Sequence, residues 1–132
     1  MPREDSLYPA DWLRIAEKDL GRVNHLLSVH DTEAAGFFLE QAVEKFLKAF
    51  LLSKGWRLER IHDLEALLNR ALHYEPSLEP FRAACQKISG FYVVDRYQTI
   101  TEDELSEEDV RHVVERVQGL IEIIKTKMTR QS

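Results

Sequence analysis

The chain has 132 residues, 44% hydrophobic and 31% charged, with a formal net charge of -5. That size and balance describe one globular domain, able to bury a core without metals or disulfides. The acidic balance excludes a uniformly basic face for nucleic acid, and the single cysteine, Cys85, excludes an internal disulfide.

The charge is uneven. Residues 101–109 carry Glu102, Asp103, Glu104, Glu107, Glu108 and Asp109, whereas residues 45–60 carry Lys45, Lys48, Lys54, Arg57 and Arg60. A local basic zone is therefore expected near the end of the second helix. The polar start shows no signal peptide, and no apolar run is long enough to span a bilayer. Cys85 sits in an apolar helical segment and reads as a buried, inert thiol. A reducing, cytoplasmic location is the natural expectation for such a chain. The single domain is expected to occupy 1–132, with 1–10 and 128–132 as flexible ends.

In chain order, a first helix is expected from near Asp11, after Pro9, to near Val29 and His30. Its apolar stripe is Trp12, Ile15, Ala16, Leu20, Val23, Leu26 and Leu27. Asp31 or Thr32 then caps a second helix that runs to about Ser53, where Gly55 stops it. Residues 37–52 of this helix are apolar nearly all round, which places it at the centre of a bundle. Its Glu44 and Lys48 are spaced (i, i+4) and can face each other. Residues 56–61 form a short connection, and Asp63 caps a short third helix with Leu64, Leu67, Leu68 and Leu72 as its stripe. Pro76 breaks the pattern. A fourth helix is expected over roughly 78–94, then an irregular stretch over 95–101. Ser106 with Asp109 resembles a capping box. The last helix carries Val110, Val113, Val114, Val117, Leu120, Ile121 and Ile124 and has a cationic tail. No convincing strand is present. The fold class is all-α: an antiparallel up-and-down bundle of four long helices plus one short helix.

Four groups of residues carry candidate chemistry, each beside a structural reading. His62 beside Asp63 either hydrogen-bonds a loop carbonyl or a neighbouring acid, or serves as an acid/base or phosphate contact in a cleft. Arg57 and His62, five positions apart, have the residue types for ribonucleolytic chemistry: histidine moves the proton and arginine steadies the phosphorane charge. Tyr92, Arg96 and Tyr97 cluster at the end of the fourth helix. There arginine offers a planar fork to phosphate and tyrosine a stacking face, unless the tyrosines are wedged between helices and Arg96 pairs with Asp95 or Glu44. Lys48 either pairs with Glu44 alone or adds positive charge to the cleft that holds Arg96. The metal-site, P-loop and dinucleotide signatures are missing, and His25, His30, His73 and His112 have no ligand spacing. No metal and no cofactor are expected.

Together these residues resemble the HEPN family (higher eukaryotes and prokaryotes nucleotide-binding domain). The resemblance is carried by Asp11-Trp12-Leu13 and Ala16-Glu17-Lys18-Asp19-Leu20 in the first helix and by residues 38–49 in the second. His62-Asp63-Leu64 and Tyr92 with Arg96-Tyr97 complete it. It implies a helical bundle that commonly forms a homodimer and acts with a small nucleotidyltransferase-like partner, often as a toxin–antitoxin pair. Many members cleave RNA with an Arg and a His four to six residues apart, facing each other across the dimer. Here neither Arg96 nor Arg111 has a His at that distance after it, and Arg57 and His62 lie in an earlier connection. The chain is more similar to the branch with an Arg-Tyr-Pro end, carrying Gln98 in place of the Pro. That branch implies a nucleotide- or RNA-phosphate-binding module, not an independent enzyme, with Arg96, Tyr97, Tyr92, His62 and Lys48 at the site. A metal-independent ribonuclease toxin and a plain interaction module stand as the alternatives.

Overall fold

A computed structural model describes residues 6–96 and 106–129, with side chains over 6–91 and 106–128. The described residues form five α-helices and one 3-10 segment. These are α1 (Pro9–Ser28), α2 (Thr32–Ser53), α3 (Leu64–Leu72), the 3-10 segment (Pro76–Phe81), α4 (Arg82–Arg96) and α5 (Glu107–Thr129). The fold is an all-helical bundle.

The helix starts follow their capping chemistry. Asp31 accepts from the Ala34 amide at 3.4 Å, Asp63 from the Glu65 amide at 3.3 Å, and Ser106 from the Asp109 amide at 3.3 Å. α1 begins two residues before Asp11, because Pro9 occupies the first turn instead of preceding it. Ser6 fastens that turn: its carbonyl accepts from the Trp12 indole at 2.8 Å, and its hydroxyl donates to Asp11 at 2.8 Å. α2 stops at Ser53, with Gly55 at φ 89°, a left-handed conformation that glycine adopts without a Cβ penalty.

The fourth helix departs from its expected start. Residues 76–81 wind as a 3-10 segment, and α-helix begins only at Arg82. Pro80 explains the delay: it lacks an N–H and its ring would clash with a carbonyl of the preceding α-turn.

α2 lies at the centre, touching α1, α3, α4 and α5. Phe46, Leu47, Phe50 and Leu51 are fully buried there. They meet Leu67 and Leu68 of α3, Ile88 of α4, and Val117, Leu120 and Ile124 of α5 in one apolar core. Burial of each such side chain contributes about 1.5–3 kcal/mol before entropy is charged against it. α1 and α2 fold back on each other through residues 29–31 and pack along much of their length. Cys85 is fully buried in this core, and burial pushes its thiol up to about 12, so the thiolate is suppressed.

Among the described residues, three charged ones are buried with the apolar ones: Asp19, Glu44 and Lys48. All three lie on the α1–α2 side of the bundle, where they define the candidate site.

Candidate nucleotide-phosphate groove

Charges this deep require partners. Glu44 has two: its Oε2 accepts from Lys48 Nζ at 3.0 Å and meets His62 Nδ1 at 3.1 Å. Lys48 also lies over the Trp12 ring, 5.3 Å from the centroid, a cation–π placement. One turn lower on the α1–α2 interface, Asp19 takes Lys45 on one carboxylate oxygen at 2.7 Å and Arg22 on the other at 2.5 Å. Glu44 and Asp19 thus join α1, α2 and the connection before α3 through charge-assisted bonds.

These residues line a groove of about 1030 Å³. Trp12, Ile15, Phe37 and Phe38 give it apolar and aromatic surface, Arg22, Lys45 and Arg60 supply cationic groups, and His62 adds an imidazole. Glu40, Glu59 and Asp63 add acidic ones, and α4 contributes Ser89. The size falls at the upper end of ordinary small-ligand sites, and the mixed polarity suits a ligand with both a flat apolar part and a charged part.

Local folding explains why His62 is there. Trp56 and Ile61 pack against the core, and Ile61 N–H bonds the Glu59 carbonyl at 2.9 Å. Asp63 is fixed as the α3 cap. His62, held between these anchors, keeps a side chain 70% exposed while Nδ1 is tied to a carboxylate that is 7% exposed. Nε2 remains as the nitrogen that can meet a ligand.

Glu40 sits one turn before Glu44 and is half-buried. Burial, and then the charge of Glu44, push its carboxyl from an ordinary 4.5 up to about 7, partly offset by His62. Near neutral pH the groove therefore holds a carboxyl that can donate as well as accept a hydrogen bond.

Of the residues expected at the site, the structure brings His62 and Lys48 together on one carboxylate. Lys48 is 3% exposed and its ammonium is directed to Glu44, so it acts on the groove as a charge from its wall. Arg57 is exposed and does not line the groove; Arg60, from the same connection, does. The backbone of Tyr92 and Arg96 lies in the last turns of α4, while their side chains, and Tyr97 altogether, lie outside the described residues. Among the described residues no three His, Cys, Asp or Glu side chains gather as a metal site.

Sequence reasoning missed Asp19, Glu40, Trp12 and Arg22 as site residues. Asp19 carried a readable signal, since it interrupts the apolar stripe of α1 between Ile15 and Val23, at a helical position where an apolar residue belongs.

The fold and groove define a helical-bundle module with a charge-lined lateral site. Residues 9–127 match the model of the HEPN domain, and the chain belongs to that family. Its fold is similar to the crystal structure of an archaeal HEPN homologue, with a TM-score of 0.72 and 21% identity, over 92% of this chain and 98% of that one. A comparison with curated proteins gives no match. Among the described residues no helix is long and apolar enough to cross a membrane.

Proposed function

We propose that this HEPN domain binds a nucleotide or an RNA-like phosphate in the α1–α2 groove, as a homodimer working with a small nucleotidyltransferase partner in a toxin–antitoxin-like pair. The observation that carries the ligand reading is His62, exposed in the groove yet anchored through Nδ1 on the buried Glu44. The anchor fixes the imidazole in the groove while leaving Nε2 accessible to a ligand. Arg60 supplies a planar donor fork beside it, and Phe37 and Phe38 supply ring faces for a base. Arg96, Tyr92 and Tyr97 remain part of the proposed site through the family resemblance they carry. The homodimer and the nucleotidyltransferase partner follow from what the family commonly does.

Calorimetric titration with a panel of mononucleotides tests the ligand. Binding is expected for wild type, reduced at least tenfold in Arg60→Ala, His62→Ala and Arg96→Ala; a loss of one charge-assisted contact is worth about that much. No heat with any nucleotide would end the reading. Light scattering, alone and with the candidate partner, tests the assembly: a monomer that ignores the partner would remove that half of the proposal.

A second reading, the metal-independent ribonuclease, is favoured by one feature: the His62–Glu44 pair beside Glu40, whose proton is held up to about 7. It predicts RNA cleavage in the presence of a chelator, abolished by His62→Ala. Intact RNA at high protein concentration would exclude it.

A further inference from the structure

Next to the groove lies a second hollow, of about 440 Å³, lined by Lys18, Gly21, Arg22, His25, Leu26 and Phe38. Among the described residues its wall holds no carboxylate, although Arg22 is bonded to Asp19 behind it at 2.5 Å, in a chain whose net charge is -5 and whose main groove carries several acids. Lys18, Arg22 and His25 are spaced i, i+4 and i+7, so they share one face of α1. Lys18 and His25 are exposed, and no described acid pairs with either. Gly21 sits in the helix interior, where glycine weakens a helix relative to alanine. No close neighbour demands it: a Cβ built there meets nothing within 4 Å. What the missing side chain does is keep the floor of the hollow open.

Arg22 and Phe38 belong to both the groove and the hollow, with the guanidinium 5.6 Å from the ring centroid. The two spaces share this wall. From residue 18 to residue 25 the helix rises about 10 Å, so the two side chains flank the hollow from two turns of one helix face.

We infer that the hollow is a second anion subsite, so that groove and hollow together take a short single-stranded oligonucleotide, with Lys18 and His25 on its second phosphate and Phe38 under a base. This rests on the nucleotide-binding reading of the groove. An acidic peptide would satisfy the cations but has no flat ring for Phe38; a base satisfies both.

The test compares a mononucleotide with the corresponding trinucleotide on wild type, on Lys18→Ala/His25→Ala and on Gly21→Glu, by calorimetry at two salt concentrations. These positions are exposed, so the variants are expected to fold. The trinucleotide should bind wild type about tenfold more tightly than the mononucleotide. Both variants should lose that gain, with a shallower salt dependence, and should keep mononucleotide affinity. Failure of the mononucleotide to bind wild type would overturn the groove reading. Trinucleotide binding that is absent, no tighter than the mononucleotide, or unchanged in the variants would overturn the hollow. So would polyglutamate displacing the trinucleotide from wild type at equal charge concentration.

Discussion

Two charge networks, each centred on carboxylates bonded to basic side chains, have different surroundings. Around Arg82, the guanidinium bonds Glu79 at 2.9 Å, Glu65 at 2.9 Å and Asn69 at 2.7 Å, and the carboxylates are 39–55% exposed. In the groove, Glu44 and Asp19 make bonds of similar length with carboxylates only 7% and 3% exposed. Exposed pairs exchange water for each other at little gain, and salt screens them. Buried pairs have surrendered their water, so each partner depends on the other. The Arg82 network decorates the surface. The groove network fixes where α1, α2 and the connection before α3 stand.

The comparison is broken most severely at Glu44. Glu44→Ala leaves Lys48 buried with only the Trp12 face, and is expected to destabilise by about 3–5 kcal/mol in chemical unfolding. Glu44→Leu with Lys48→Met should recover most of that loss, since both charges go together. A single-variant loss below about 1 kcal/mol would place this pair with the surface networks.

Asp19→Ala should come next, at about 2 kcal/mol, because Lys45 and Arg22 keep partial access to water. Two helix glycines then give effects of opposite sign. A Cβ at Gly119 would meet the Phe81 ring at 2.9 Å, so Gly119→Ala should destabilise by about 1 kcal/mol despite the better helix former. Gly21→Ala meets nothing and should stabilise by about 1 kcal/mol. Thermal unfolding of the two variants side by side checks the signs.

Glu40 gives a pH dependence. Folding raises its carboxyl from 4.5 to about 7, so the folded chain holds this proton more tightly than the unfolded one. Its contribution is complete below pH 4.5 and is lost as pH climbs through 7. The group is half-exposed, and after solvent screening the loss is about 1 kcal/mol. Glu40→Gln should remove that slope between acid and neutral pH, and an unchanged slope would locate the proton elsewhere. The smallest effect belongs to Arg82→Ala, whose unfolding midpoint should shift less than that of any variant above.

The bundle was legible because helix periodicity and capping are local. Asp31, Asp63 and Ser106 announce starts within three residues of the amides they bind. The apolar run of α2 announced its central place. The groove was legible only in part. Glu44 with Lys48 lies within one helix and could be read from spacing. His62 on Glu44 and Lys45 on Asp19 join residues 18 and 26 positions apart, and only packing decides such partners. Arg60 rather than Arg57 lines the groove because Trp56 and Ile61 are taken into the core, which sets the facing of the segment between them. Nothing in the spacing of arginine and histidine encodes that.

The central claim is that His62 is an anchored ligand contact on a buried carboxylate. Nitrogen-15 NMR of the His62 imidazole, recorded during titration with a nucleotide, addresses it most directly. The account predicts that the Nε2 resonance shifts with saturating ligand, while Nδ1 keeps the signature of its bond to Glu44 and loses it in the Glu44→Leu, Lys48→Met variant. Nucleotide binding that leaves both His62 nitrogens unmoved would contradict it.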